Sequence, residues 1–170
     1  MSDDESAPPP IDPAAAELHL APLASKLMQA IALREEGKHD AARALLHEIL
    51  QADPRLAEPR LELAHLAALR ADWEEAEAQA REAVELLHHG GQWTADIAGP
   101  ALLSFAVNLL GEIVYRALQD GDLIFLDRAA FDARWNEAAG LFVEALRLDP
   151  TNEDARYWTG HIRHREVPDA

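Results

Sequence analysis

Residues 38–54, KHDAARALLHEILQADP, and residues 72–87, DWEEAEAQAREAVELL, decide how this chain folds. Ala42 of the first stretch recurs as Ala76, 34 positions later, Leu46 as Ala80, and Ile49 as Ala83. In both stretches the apolar positions return at the three-and-four spacing of one helical face. Each is preceded by another helical run. Leu23, Leu27, Ala30, Ile31 and Leu33 precede Gly37, and Pro59 opens a run that reaches Arg70. The first pair stops at Asp53-Pro54, because proline cannot continue the backbone ladder. In the second pair Asp72 is placed to cap, and His88-His89-Gly90-Gly91 breaks the helix. The unit is therefore helix–turn–helix. Ala42 and Ala76 sit early in the second helix, where a larger side chain would push the paired helices apart.

A third unit is present but interrupted. In WNEAAGLFVEALRLDP (residues 135–150), Ala138 stands as far from Pro150 as Ala42 does from Pro54. Its upstream partner carries Leu110-Gly111. Leu63 precedes Ala76 by 13 residues, whereas Leu110 precedes Ala138 by 28, so about 15 residues are inserted at 119–133. Leu63 and Leu110 are 47 apart rather than 34, which places 13 more at 88–100. Together the two excesses equal the displacement of Ala138 from the 34-residue register. A half-unit around Thr159-Gly160, with Arg156, His161, Arg163 and His164, is polar enough to cap a stack of repeats.

From about residue 23 to residue 166 the chain resembles the tetratricopeptide-repeat family, whose period is 34 residues. The resemblance implies an all-α solenoid, a right-handed superhelix of about three helix pairs with a C-terminal capping helix. Seven principal helices are expected, with one short helix near 123–131 capped by Asp122.

Composition agrees. The chain has 170 residues, room for one domain with a real core. Apolar residues make up 49%, mostly helix-favouring, and aromatic residues only 6%, so a sheet is not expected. There is no cysteine, hence no disulfide framework and no thiolate chemistry. A net charge of −16 repels nucleic-acid phosphates and anionic lipid, and suits a basic or neutral protein partner. No uninterrupted apolar run reaches the roughly 18 residues of a membrane span, and no basic-then-apolar leader opens the chain. A cytoplasmic location is expected. Residues 1–21, acidic and proline-rich, are expected to be a disordered tail, and residues 22–170 the repeat domain.

Catalysis is not expected, nor is a cofactor. His161 and His164 share a helical face, but no further ligand signal accompanies them. Asp120-Gly121-Asp122 lacks the spacing of a calcium loop and reads as a turn. There is no phosphate-binding glycine loop and no nucleophile elbow.

In the resembled family the first helix of each unit lines a concave groove. Carried onto this chain, the groove positions are Leu27, Ile31 and Arg34, then Leu61, His65, Ala68 and Leu69. They continue as Asn108, Glu112, Tyr115 and Arg116, then Tyr157 and His161. Some relatives clamp acidic tails of chaperones with Lys, Asn and Arg; the matching positions here are Leu27, Ile31, Glu58 and Glu62, which do not hold a carboxylate. The expected role is an adaptor or scaffold that grips a peptide or helix of a partner protein. The alternative is a chaperone of the type that shields secreted translocator proteins. Trp93 in the first insertion and Phe125 in the second are candidate hydrophobic contacts for a partner or a second copy of the chain.

Overall fold

The computed structural model describes residues 13–91 and 97–164. They form eight helices: α1 Pro13–Glu35, α2 His39–Ala52, α3 Glu58–Ala68, α4 Trp73–His88, α5 Gly99–Asp120, α6 Leu123–Leu126, α7 Arg128–Leu148 and α8 Glu153–His164. Apart from the short α6, each helix packs on the next in sequence. First helices also touch across units, α1 on α3, α3 on α5 and α5 on α8. This is a solenoid of three helix pairs, α1/α2, α3/α4 and α5/α7, closed by α8, with α6 as the expected short helix.

The repeat is visible in the backbone. After α1 the chain reverses at Gly37, with φ 75°, and Lys38 N–H donates to the Leu33 carbonyl at 2.8 Å. After α3 it reverses at Ala71, with φ 56°, and Asp72 N–H donates to the Ala67 carbonyl at 3.0 Å. These are the same left-handed helix terminus, one repeat apart. Asp72 then caps α4 by accepting from the Glu75 N–H. The Asp-Pro ends also match. Asp53 and Asp149 are both extended, as a residue before proline must be. Each side chain accepts the N–H two residues on, Arg55 at 3.0 Å and Thr151 at 2.9 Å.

Ala42, Ala76 and Ala138 are each wholly buried, so the three unit-defining alanines sit where paired helices come closest. Gly111 serves the same end on α5. A Cβ there would lie 2.8 Å from Cε1 of Phe142 on α7, so only glycine lets the two helices pack at this distance.

Three points differ from the sequence reading. α1 opens at Pro13 rather than Pro22, which lies inside it. Pro13 occupies the first helical position, where proline is tolerated. The following Ala-Ala-Ala-Glu-Leu favours helix strongly enough to offset the one donor that Pro22 removes. Residues 1–12 of the expected tail lie outside the described residues. In the second insertion the extra residues mostly lengthen α5 to Asp120 and draw the start of α7 forward to Arg128. Asp122 stands before α6 without a side-chain cap, whereas Asp127 caps α7 by accepting from Ala130 N–H at 3.0 Å. Finally, α5 is by length and composition apolar enough to cross a membrane, although no single run in it is unbroken. Two-thirds of that stretch is buried within the fold, as expected of a helix lying between α4 and α7.

Candidate partner-binding face

α1, α3 and α5 present one common face, and two hollows lie on it. The first, about 270 Å³, is lined by Ala24, Leu27, Met28 and Ile31 of α1, Glu58, Leu61 and Glu62 of α3, and Leu102 and Phe105 of α5. The second, about 200 Å³, is lined by Arg34, then His65, Ala68 and Leu69, then Leu109, Glu112, Ile113 and Arg116. On each helix the lining residues follow the i, i+3, i+4 rhythm of a single stripe. In all three helices the first hollow uses the earlier residues and the second the later ones, so the three run parallel.

The hollows differ in chemistry. Met28 and Phe105 are 64% and 40% exposed on the first, which has carboxylates but no base on its lining. The second is a row of opposed charges. Arg34 Nε donates to Glu62 at 2.8 Å, Arg116 pairs with Glu112, and His65 stands between. Burial lowers the His65 pKa below the ordinary value, and the Arg34 charge lowers it further. Glu62 and Glu112 pull the other way without winning.

The positions expected on the groove divide into four groups. Leu27, Ile31 and Leu61 are brought together in the apolar hollow, and Arg34, His65, Leu69, Glu112 and Arg116 in the charged one. Asn108 and Tyr115 are not brought to either. Each is only 4% exposed, because α5 is covered by α4 on one side and α7 on the other. Tyr115 belongs instead to an aromatic junction. Its ring lies 5.8 Å from Trp135 and 5.4 Å from Trp158, and its hydroxyl is 3.2 Å from Nε2 of His161. Tyr157, 62% exposed, stacks on His161 at 5.7 Å. Tyr157 and His161 thus decorate the capping helix, apart from the hollows. Trp93 lies outside the described residues. Phe125 and Leu126 project from the α6 tip at 77% and 81% exposure, while their neighbours Leu123 and Ile124 pack on the core.

Met28, Leu102 and Phe105 were missed from sequence. Met28 follows Leu27 directly, and its place on the stripe was legible. Phe105 and Leu102 were missed because the groove positions were counted around Leu110-Gly111 and toward the C-terminus, which leaves out the first two turns of α5. Among the described residues no group of three or more His, Asp or Glu side chains is placed to hold a metal ion.

A family model described as a tetratricopeptide repeat matches residues 33–95, the segment from the end of α1 past α4. A search of curated proteins gave no match. Among solved structures the chain is similar to YrrB, described as a TPR protein with an unusual peptide-binding site. The identity is 16%, the coverage 81% of this chain and 74% of that one, and the TM-score 0.37. The third unit lies beyond the family match, yet α5 and α7 close on Ala138 as α3 and α4 close on Ala76. Residues 33–95 thus match a tetratricopeptide repeat, and the described residues as a whole form an all-α solenoid of three helix pairs and a cap.

Proposed function

We propose that this protein is a non-catalytic adaptor that holds a peptide or helix of a partner protein on the α1/α3/α5 face. One observation carries the reading. Exposed Met28, Leu69 and Phe105, from three different helices, converge with buried leucines on two adjoining hollows rather than being scattered singly. Apolar side chains gathered in a concavity are what a partner's anchor residues fill. The test is capture of partners from a native extract by the full chain, beside Met28→Asp and Phe105→Ala variants whose helicity and melting are checked. Loss of the same captured protein in both folded variants is expected. Unchanged capture by both would overturn the reading. Were the captured protein a secreted, membrane-active one, the adaptor would be acting as a chaperone for it.

A further inference from the structure

The short helix α6 lies in length that the repeat does not need. Leu63 and Ala76 are 13 residues apart, Leu110 and Ala138 are 28 apart, and α6 falls in the excess. It packs on α7 and lines neither hollow.

Its base is fixed. Leu123 and Ile124 pack on the larger core cluster, and Trp73 Nε1 of α4 donates to Asp120 at 2.9 Å. Asp127 caps α7. The N–H groups of Phe125 and Leu126 both donate to the Asp122 carbonyl, at 2.9 and 3.1 Å. Phe125 and Leu126 therefore follow Asp122 by three and four residues within one turn, which brings all three to one face. At 77% and 81% exposure the two apolar side chains add little to the core. Held on a fixed base, they would lose little freedom on being covered.

Charge says what covers them. Asp122 shares their face, Asp120 and Asp127 flank it, and all three are exposed. Among the described residues no base pairs with any of these carboxylates. The groups that bond to Asp120 and Asp127, the Trp73 indole and the Ala130 N–H, are neutral donors and leave both charges in place. Arg128, the next base in sequence, pairs with Asp132 at 2.9 Å. A surface closing over the tip must therefore bring cations. A second copy brings the reverse, its own three carboxylates or Glu58 and Glu62 of its apolar hollow, in a chain of net charge −16. Anionic lipid is repelled in the same way.

We infer that α6 is a second docking element, independent of the α1/α3/α5 face. Phe125 and Leu126 enter an apolar cleft on a partner protein, and lysines or arginines on the rim of that cleft meet Asp120, Asp122 and Asp127.

The experiment places the photoprobe p-benzoylphenylalanine at position 125 of the full chain, in cells that naturally make the protein. The position is exposed and keeps an aromatic ring, and circular dichroism checks that the fold is retained. Irradiation is expected to give one protein adduct, whose cross-linked peptide has apolar residues beside lysines or arginines. Asp122→Asn with Asp127→Asn, which keeps a capping side chain, is expected to cut the yield about fivefold or more. Met28→Asp, on the other face, is expected to leave it unchanged. A yield that ignores the two asparagines overturns the inference. So does an adduct with a second copy, a lipid, or a peptide without basic residues, and so does a yield no greater than from the same photoprobe at exposed Glu85. Loss of the adduct with Met28→Asp would make the tip a mere border of the groove and overturn its independence. Failure at the tip leaves the adaptor reading to its own capture experiment.

Discussion

Ala71 occupies a backbone conformation that its side chain disfavours. Its φ of 56° is the left-handed region, where a Cβ crowds the following carbonyl at about 1–2 kcal/mol. The equivalent position one repeat earlier is Gly37, which carries no such strain. Ala71→Gly should therefore stabilise the protein by about 0.5–1 kcal/mol, the strain relieved less the added entropy of an unfolded glycine. Urea midpoints check this, and a lower midpoint would show that the turn is not strained. Two other glycines predict opposite signs. Gly111→Ala puts a methyl against the Phe142 ring and should cost about 1–3 kcal/mol. Gly140→Ala meets nothing within 4 Å inside α7 and should gain about 0.5–1 kcal/mol. Should both move the midpoint the same way, the α5/α7 contact at Phe142 is misplaced. The packing alanines were legible because their spacing repeats. Ala71 was not, because an alanine in a turn gives no sign of its own backbone angle.

Elements are joined by side chains of very different exposure. Between α4 and α7, Glu77 and Arg81 interlock with Arg134 and Glu137. Burial opposes the Glu77 charge, but hydrogen bonds from Arg134 and Arg81 outweigh it and hold its pKa below the ordinary value of 4.5. At the end of α2, Asp53 is only 2% exposed and is gripped by Arg55 through two guanidinium bonds of 3.0 Å, with His19 at 3.4 Å. The Arg55 bonds hold its pKa below 3.8. For both carboxylates the unfolded chain takes up protons first as pH falls, so the stability they confer is full above about 4.5 and lost below it. His65 acts in a higher window. Its folded pKa is lowered, so below 6.5 the unfolded chain binds a proton that the native site resists, and stability falls. Thermal melts should then show two declines on acidification, the first below about pH 6.5. His65→Leu should remove the first and spare the second; persistence of the first would assign it to another group. The α6 tip is neutral in this respect. Phe125→Asp, at 77% exposure, should change stability by no more than about 0.5 kcal/mol. Unfolding of that variant would show that the tip is packed. The insertions were legible as extra length but not as shape, since a run such as Leu-Ile-Phe-Leu reads alike as helix, turn or contact. Only the placed helices show that Leu123 and Ile124 turn inward while Phe125 and Leu126 turn out.

At the scale of the whole molecule, a solenoid ties each unit only to its neighbours, so stability need not be uniform along it. The core is divided accordingly. Leu23, Leu27, Ala30, Ala42, Leu46, Ile49, Leu56, Leu63 and Leu66 form one cluster around α1, α2 and one side of α3. A larger cluster runs from Ala57 to Ile162 and holds Phe131, Trp135 and Phe142. The C-terminal part has further ties. Ser104 donates to the Ala145 carbonyl at 2.7 Å and accepts from Asn152 at 2.8 Å, while Asn152 caps α8 through Ala155 N–H at 2.9 Å. One network, buried at Ser104, thus fastens α5, α7 and α8. The α1/α2 pair, by contrast, has a neighbour on one side only among the described residues, and its first helix lacks one backbone donor at Pro22. Its opening therefore costs less than opening the α5/α7 pair, whose loss exposes the larger cluster. Native-state hydrogen exchange followed by peptide should rank α5 and α7 as most protected and α1 as least. Leu46→Ala, at 1% exposure, should cost about 2–5 kcal/mol locally. It should raise exchange in α1, α2 and the start of α3 while leaving α5 and α7 nearly unchanged. A uniform rise in every helix would mean that the chain unfolds as a single unit, and the division of the core would then have no energetic meaning. Because α1 supplies Leu27, Met28 and Ile31 to the apolar hollow, the same variant should weaken any occupant of that face without touching it. A loss of capture that tracks α1 protection would tie partner binding to the least stable part of the fold.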